Sequence, residues 1–232
     1  MLLAAAFLAL AGTVRPVSGA ESVGQVISVE GQVEVMSGGE TVWKPLTVKS
    51  PVYRSDTIKT GAVGQAEIFL LDETTFNIGP RTTVKVEKFV YSAAGNQRES
   101  RINILMGNVK FQVRRFFSQK STFEVSTPTT VAGVKGTRFI VWVISPELTR
   151  TAVLDGEVLV RNILATVSGE VLLHSNTFTD IQLSTPPAEP KPMGTDTFSI
   201  LPPEIGTPSK AGSASTLKAL GVDAKPVQAP PP

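Results

Sequence analysis

The stretch from Phe123 to Val143, FEVSTPTTVAGVKGTRFIVWV, joins two runs of alternating apolar residues through a proline and two glycines. Alternation at a period of two belongs to a strand, whose successive side chains point to opposite faces. Pro128 cannot donate to a sheet ladder and presets a turn, while Gly133 and Gly136 permit backbone angles closed to branched residues. From Thr137 the alternation resumes, with Phe139, Val141 and Val143 on one face and Arg138, Ile140 and Trp142 on the other. The block reads as strand, turn, strand.

The same logic extends along the chain. Val29 to Val35, Leu105 to Phe111, Leu154 to Val160 and Val167 to Leu173 each have the form apolar-x-Gly-x-Val-x-apolar. A glycine in that setting turns or bulges a strand and returns it with the same face inward. The intervals between Gly31, Gly107, Gly156 and Gly169 are unequal, so a fixed-period array is not supported. Further strands follow from Ala66, Ile68 and Leu70, from Val84 and Val86, and from Val109, Phe111 and Val113, each alternating with polar or differently facing neighbours. No long helical stretch separates them between Val23 and Leu183. The expectation is an all-β fold, one compact domain of many short strands, sandwich- or jelly-roll-like, with an irregular β-solenoid-like roll as the alternative. Ser92 to Ser100, with Gly95-Asn96 and mixed charges, reads as an exposed hairpin loop.

The two ends differ from this middle. Met1 to Gly12 is uncharged and rich in Ala and Leu, and Ser18-Gly19-Ala20 supplies the small residues that a signal peptidase reads. Residues 1–20 are therefore expected to be a signal peptide cut after Ala20, the apolar run being shorter than the roughly 20 residues of a spanning helix, so that no membrane span remains after cleavage. A β domain would then occupy residues 21–183. From Ser184 to Pro232 lie 11 of the 17 prolines and one aromatic residue, Phe198. Such a composition cannot bury enough apolar surface to offset its ordering entropy, and a disordered or polyproline-like tail is expected over residues 184–232.

Charge and reactive residues narrow the chemistry. Lys and Arg number 22 against 20 Asp and Glu, a formal +2 that names no partner. With no Cys, thiol catalysis, disulfides and Cys-based metal sites are excluded, and the one histidine, His174, leaves no ligand set for a usual zinc site. His174 in VLLHSNTF reads as an ordinary strand-end residue. Asp72-Glu73 against Asp155 or Glu157 could be drawn as a carboxylate pair, but each sits at a turn, where Asp commonly bonds the backbone. There is no phosphate-cradling GxxxxGK[ST], GxSxG elbow or HExxH, and no loop has calcium-site spacing. No catalytic residue, metal or cofactor is expected.

Several corners together resemble the FecR domain, the extracytoplasmic part of bacterial iron-transport signalling regulators. Thr127, Pro128, Val134, Lys135, Gly136, Thr137, Phe139 and Val141 match that family's "tP…a.vrGT.F.v.v" block. Ser55 to Gly61, with Asp56, Thr60 and Gly61, is similar to its "GD.i.Tg" corner, and Ala66 to Asp72 to the strand before its "DGs". Leu105 to Val109, with Gly107, and Leu154 to Val158, with Gly156, resemble its "l..G.v" returns. The likeness spans roughly Val23 to Asn162. Two positions depart from it: Ser55 stands where the family has Gly before Asp56, and Glu73-Thr74 replaces the Gly-Ser after Asp72.

The membrane-bound regulators of this family add a cytoplasmic sigma-factor-binding helix bundle, a transmembrane helix and a further small domain, whereas this chain resembles their middle region. The resemblance implies a free-standing, non-enzymatic FecR-domain module, periplasmic or secreted, whose family-motif corners are structural and which recognises a protein partner in the cell envelope. An envelope glycan-binding module and a signalling component related to sigma-factor regulation are the alternatives. Lys110, Arg114, Arg115 and Lys120, set among Phe111, Phe116 and Phe117, could form a patch for an anionic glycan, a lipid head group or an acidic protein face; equally, Phe111 and Phe116 or Phe117 could enter the core while the charges solvate a strand end. Export argues against nucleic acid as the partner of such a patch.

Overall fold

A computed structural model of the chain describes residues 21–116, 118 and 121–194. The expected signal peptide and most of the proline-rich stretch lie outside the described residues. Among these residues there are seventeen strands and no helix, in keeping with the period-two pattern. In chain order they are β1 (Ser22–Glu30), β2 (Val33–Met36), β3 (Lys44–Pro45), β4 (Pro51–Tyr53), β5 (Thr57–Thr60), β6 (Gln65–Leu70), β7 (Thr75–Ile78), β8 (Thr83–Ser92) and β9 (Gln97–Gln112). There follow β10 (Ser121–Ser126), β11 (Thr130–Val134), β12 (Arg138–Ser145), β13 (Leu148–Asp155), β14 (Glu157–Asn162), β15 (Glu170–His174), β16 (Thr177–Gln182) and β17 (Lys191–Pro192).

Hydrogen bonds link all of them into one mixed sheet that folds over into two leaves. The first leaf runs β4-β1-β6-β7-β9-β12-β13-β16-β17 and is antiparallel throughout. The second runs β3-β2-β5-β8-β9-β10-β11-β14-β15, with β9-β10 its one parallel pair. The long strand β9 belongs to both: Gln97–Met106 pairs with β8, and Gly107–Gln112 with β12. The leaves enclose a single core as in a sandwich, and Phe111 of the first lies 6.2 Å from Phe123 of the second and 5.0 Å from Phe139 beside it. Chain order is that of the roll: the strands are laid by turns on one leaf and then the other, so strand number rises across the first leaf once β1 is passed and across the second once β2 is passed.

That alternation explains the glycine corners. Gly31, Gly107, Gly136 and Gly156 all have positive φ, and each lies where the chain changes leaf. A left-handed residue bends the strand sharply without reversing which face is inward. Lys49, Ser55, Arg81 and Asn176 do the same at other crossings without being glycine. Ser55 (φ 72°) and Glu73 (φ 64°) occupy the two positions at which the sequence departs from the FecR pattern, so the left-handed turn is retained there with a side chain that disfavours it. Ser55→Gly and Glu73→Gly should each stabilise the domain by roughly 0.5–1 kcal/mol, the relief of left-handed strain exceeding the added unfolded-state entropy. A thermal or urea midpoint at or below wild type for both variants would contradict this.

Two local expectations need correction. The hairpin loop is confined to residues 93–96; Gln97–Ser100 belongs to β9, and Arg98 and Ser100 are buried instead of exposed. The described chain also continues in fixed contact past Leu183. Ala188 N donates to Asp180 O, Met193 N donates to Asn176 O, and β17 pairs with β16. This strap covers an apolar cluster of Ile140, Ala152 and Phe178 on the outer face of the first leaf, with Met193 and Leu154 against it. Burial of those side chains offsets the ordering of a short proline-rich run.

Candidate binding groove and its buried support

The family-type residues are the parts from which the corners are made. Asp56 is buried, and its Oδ2 accepts from Tyr53 N at 2.8 Å, closing the β4-β5 corner. Thr60 Oγ1 donates to Gly79 O (2.7 Å) and accepts from Thr82 N (2.9 Å), while Gly61 N donates to Gln32 O, so three crossings are tied together. Asp72 Oδ1 accepts from Thr74 N (3.1 Å) at the β6-β7 turn. Thr127 and Pro128 turn β10 into β11, with Thr127 N donating to Thr130 O. Thr137 Oγ1 donates to Glu157 O (2.8 Å), which joins the Gly136 crossing to the Gly156 crossing, and Phe139 is fully buried in the core.

At one end of the sandwich the β4-β5 and β6-β7 corners, the turn after β2 and the distal half of β8 enclose a groove of about 740 Å³. Ser22, Gly38, Ser55, Leu71, Phe89 and Tyr91 line it. Leu71 is half exposed at its mouth, as is Val90. The rim carries both signs of charge, Arg54 and Lys85 together with Glu21 and Glu40. One wall has unused hydrogen-bonding capacity. β5 pairs with β8 over Thr83–Lys85, and Ser55 N and Asp56 O then bond Val86. Beyond Val86 that edge of β8 has no strand partner among the described residues, although its other edge stays on β9 as far as Ser92. Phe89, Val90 and Tyr91, the residues of the open edge, are the ones that line the groove.

Behind this wall lies the largest fully buried side chain of the described residues, Arg98 on β9. It faces Tyr91 across the β8-β9 ladder and Ser121 across the parallel β9-β10 ladder. Nη1 lies 3.5 Å from Asp72 Oδ2 and donates to Arg114 O at 3.0 Å, while Nε donates to Ser121 Oγ at 3.2 Å. The guanidinium sits over the rings of Phe116 (5.3 Å) and Phe123 (5.5 Å), and Phe116 in turn meets Tyr91 edge-on at 6.1 Å. Burial pushes the Asp72 carboxyl up and the Arg98 guanidinium down, each opposed by the partner's charge. The pair therefore fixes three elements at once: the β6-β7 corner, the segment after β9, and the groove wall.

The expected basic and aromatic patch is divided among different surroundings. Lys110 is on the outer face of the first leaf, where its charge acts on Glu67, and Phe111 beside it points into the core. Arg114 forms an ion pair with Glu73. Arg115 packs against the Gly136 crossing, and Phe116 covers Arg98. Phe117 and Lys120 lie outside the described residues. His174 ends β15, exposed, with Nδ1 3.1 Å from Glu157 Oε1. Among the described residues no group of three or more His, Cys, Asp or Glu side chains could hold a metal ion, and no helix is long and apolar enough to cross a membrane.

Neither Arg98 nor the groove was legible in the sequence. Arg98 stands in a polar run, NQRESR, whose composition signals a loop, and the one hint is the strict alternation that places it in phase with Ser100 and Ile102.

A model of the family described as FecR protein matches residues 56–159, from the Asp56 corner to the strand after the Gly156 crossing. Over that span the chain matches a FecR domain. The matched span holds the whole Arg98 cluster and the β8 wall of the groove, while β1 to β4 and β15 to β17 complete the leaves outside it, and the larger part of the groove lining precedes residue 56. Two crystal structures from Parabacteroides distasonis, described as an anti-sigma factor, align at 18% identity with a TM-score of 0.48 over 62% of this chain and 62% of theirs. The chain thus spans less than two thirds of the length of those structures. No curated protein matches it.

Proposed function

We propose that this FecR-domain protein is a non-enzymatic binding or scaffold module that acts outside the cytoplasm and recognises a protein partner of the cell envelope. The observation that supports the reading best is the unpaired edge of β8 along the groove. An exposed edge offers main-chain donors and acceptors in the spacing of a strand, and an extended partner segment adds to it by backbone hydrogen bonds while side pockets read alternate residues. Leu71, Val90 and Tyr91 supply such apolar contacts, and the buried Arg98-Asp72 pair keeps the wall in place before binding. Export rests on the Ala- and Leu-rich start with Ser18-Gly19-Ala20. A part in FecR-type regulation agrees with the family, with the partner then a component of an envelope signalling chain.

Leu71 and Val90 are surface residues, so Leu71→Lys with Val90→Lys leaves the core intact. The full chain should retain an envelope protein on an affinity column, and the double variant should lose it. Amide exchange at Phe89 to Tyr91 should slow when that partner is bound. Equal retention by the double variant, or binding to polysaccharide resin in place of protein, would overturn the reading.

A further inference from the structure

The second leaf ends on β15, which is laddered to β14 alone. On its outward edge the His174 carbonyl accepts from Thr177 Oγ1 (2.7 Å), and the remaining backbone groups have no partner among the described residues. An open strand edge is a template for another strand, and natural proteins usually blunt it with charge, proline or a cover. Here its centre is apolar. Leu172 is 43% exposed and lies beside Leu159, 40% exposed, on β14, and the next position in that row is Gly133, which carries no side chain. The opposite half of the same outer face is closed by the ion pairs Lys88-Glu99 and Arg101-Glu124. The bare row is flanked on one side by Arg161 and Glu170 and on the other by Glu157 and His174.

We propose that two copies of this chain associate edge to edge through β15, antiparallel about a twofold axis at Leu172. The strand sequence EVLLH is self-complementary in that register. Leu172 meets the partner's Leu172, and Glu170 faces the partner's His174 on both sides of the axis, so each acid meets a base instead of its like. The apolar row then runs continuously from Gly133 of one copy to Gly133 of the other, and the outward backbone groups of both strands are satisfied. Five residues a side make a small interface, so the association is concentration-dependent and weak. It uses the edge of the second leaf remote in sequence from β8, and so stands apart from the partner groove.

The absence of cysteine makes the register directly testable in the full chain. Residues opposite each other in an antiparallel pair have Cα atoms about 4.5–5.5 Å apart, within disulfide reach. Leu172→Cys should therefore oxidise to a covalent dimer, while Leu105→Cys, exposed on β9 of the same leaf, should not. A mixture of Glu170→Cys and His174→Cys chains should cross-link to each other, and neither should do so alone. In sedimentation velocity the mean mass of wild type should rise with concentration, and Leu172→Lys should remain monomeric. A monomer at every concentration, cross-linking of Leu172→Cys no faster than of Leu105→Cys, or failure of the mixed pair to cross-link would overturn the proposal.

Discussion

Replacing Asp72 by Ala should destabilise the domain by about 3–5 kcal/mol, because it leaves the Arg98 guanidinium buried without its counter-charge. The Asp72 side chain is fully buried and Arg98 nearly so, which leaves the survivor weakly screened. The same substitution removes the acceptor for Thr74 N at the turn, a further contribution of about 1 kcal/mol. The double variant Asp72→Ala with Arg98→Met removes both charges and keeps apolar bulk between Phe116 and Phe123. It should recover a large part of the loss, since exchanging a buried ion pair for apolar groups is often close to neutral. Equilibrium urea denaturation of Asp72→Ala, Arg98→Met and the double variant against wild type checks this. A double variant as unstable as the sum of its single changes would show that the hydrogen bonds to Arg114 O and Ser121 Oγ, and not the uncompensated charge, dominate at this site.

Gly136→Val should cost on the order of 3 kcal/mol from two separate causes. The position has φ 69°, a region that costs a residue with a Cβ about 1–2 kcal/mol. In addition, a Cβ placed there would lie 2.5 Å from Arg115 Cβ and 2.7 Å from Arg115 Cα, and the second of these is backbone that cannot swing away. The crossing must then shift, which disturbs Thr137, whose carbonyl accepts from Val113 N and whose hydroxyl reaches Glu157 O. Gly133→Ala provides the contrast. Its Cβ would meet nothing nearer than Leu159 O at 3.9 Å, and the residue is not left-handed, so the change should be near neutral. Denaturation midpoints should fall sharply for Gly136→Val and hardly move for Gly133→Ala. Wild-type stability of Gly136→Val together with loss of partner binding would make this crossing a recognition element and not a structural one.

Both effects bear on what the sequence conveys by itself. The period of two in segments such as Phe139 to Val143 determined that these are strands and which face is inward, because side-chain direction along a strand alternates whatever the strand pairs with. The glycine corners were equally legible: apolar residues on both sides of Gly31, Gly107 and Gly156 must return to the same core, and a left-handed residue is the short way to do so. Those corners also carried the resemblance to the FecR family. What they could not convey was the order in which strands meet, since local alternation is the same in a jelly roll and in a roll of hairpins laid on alternate leaves.

Tertiary structure alone decided the rest. Arg98 is inside because Asp72, 26 residues earlier, and Phe116 and Phe123, farther along the chain, surround it, and nothing within NQRESR conveys that enclosure. Lys110, Arg114, Arg115 and Phe116 are neighbours in sequence, yet the turn out of β9 sends them to an outer face, an ion pair, a crossing and a buried guanidinium. The open edges of β8 and β15 are likewise properties of pairing: a strand's own residues set its faces, but whether its edge meets another strand depends on where distant segments end.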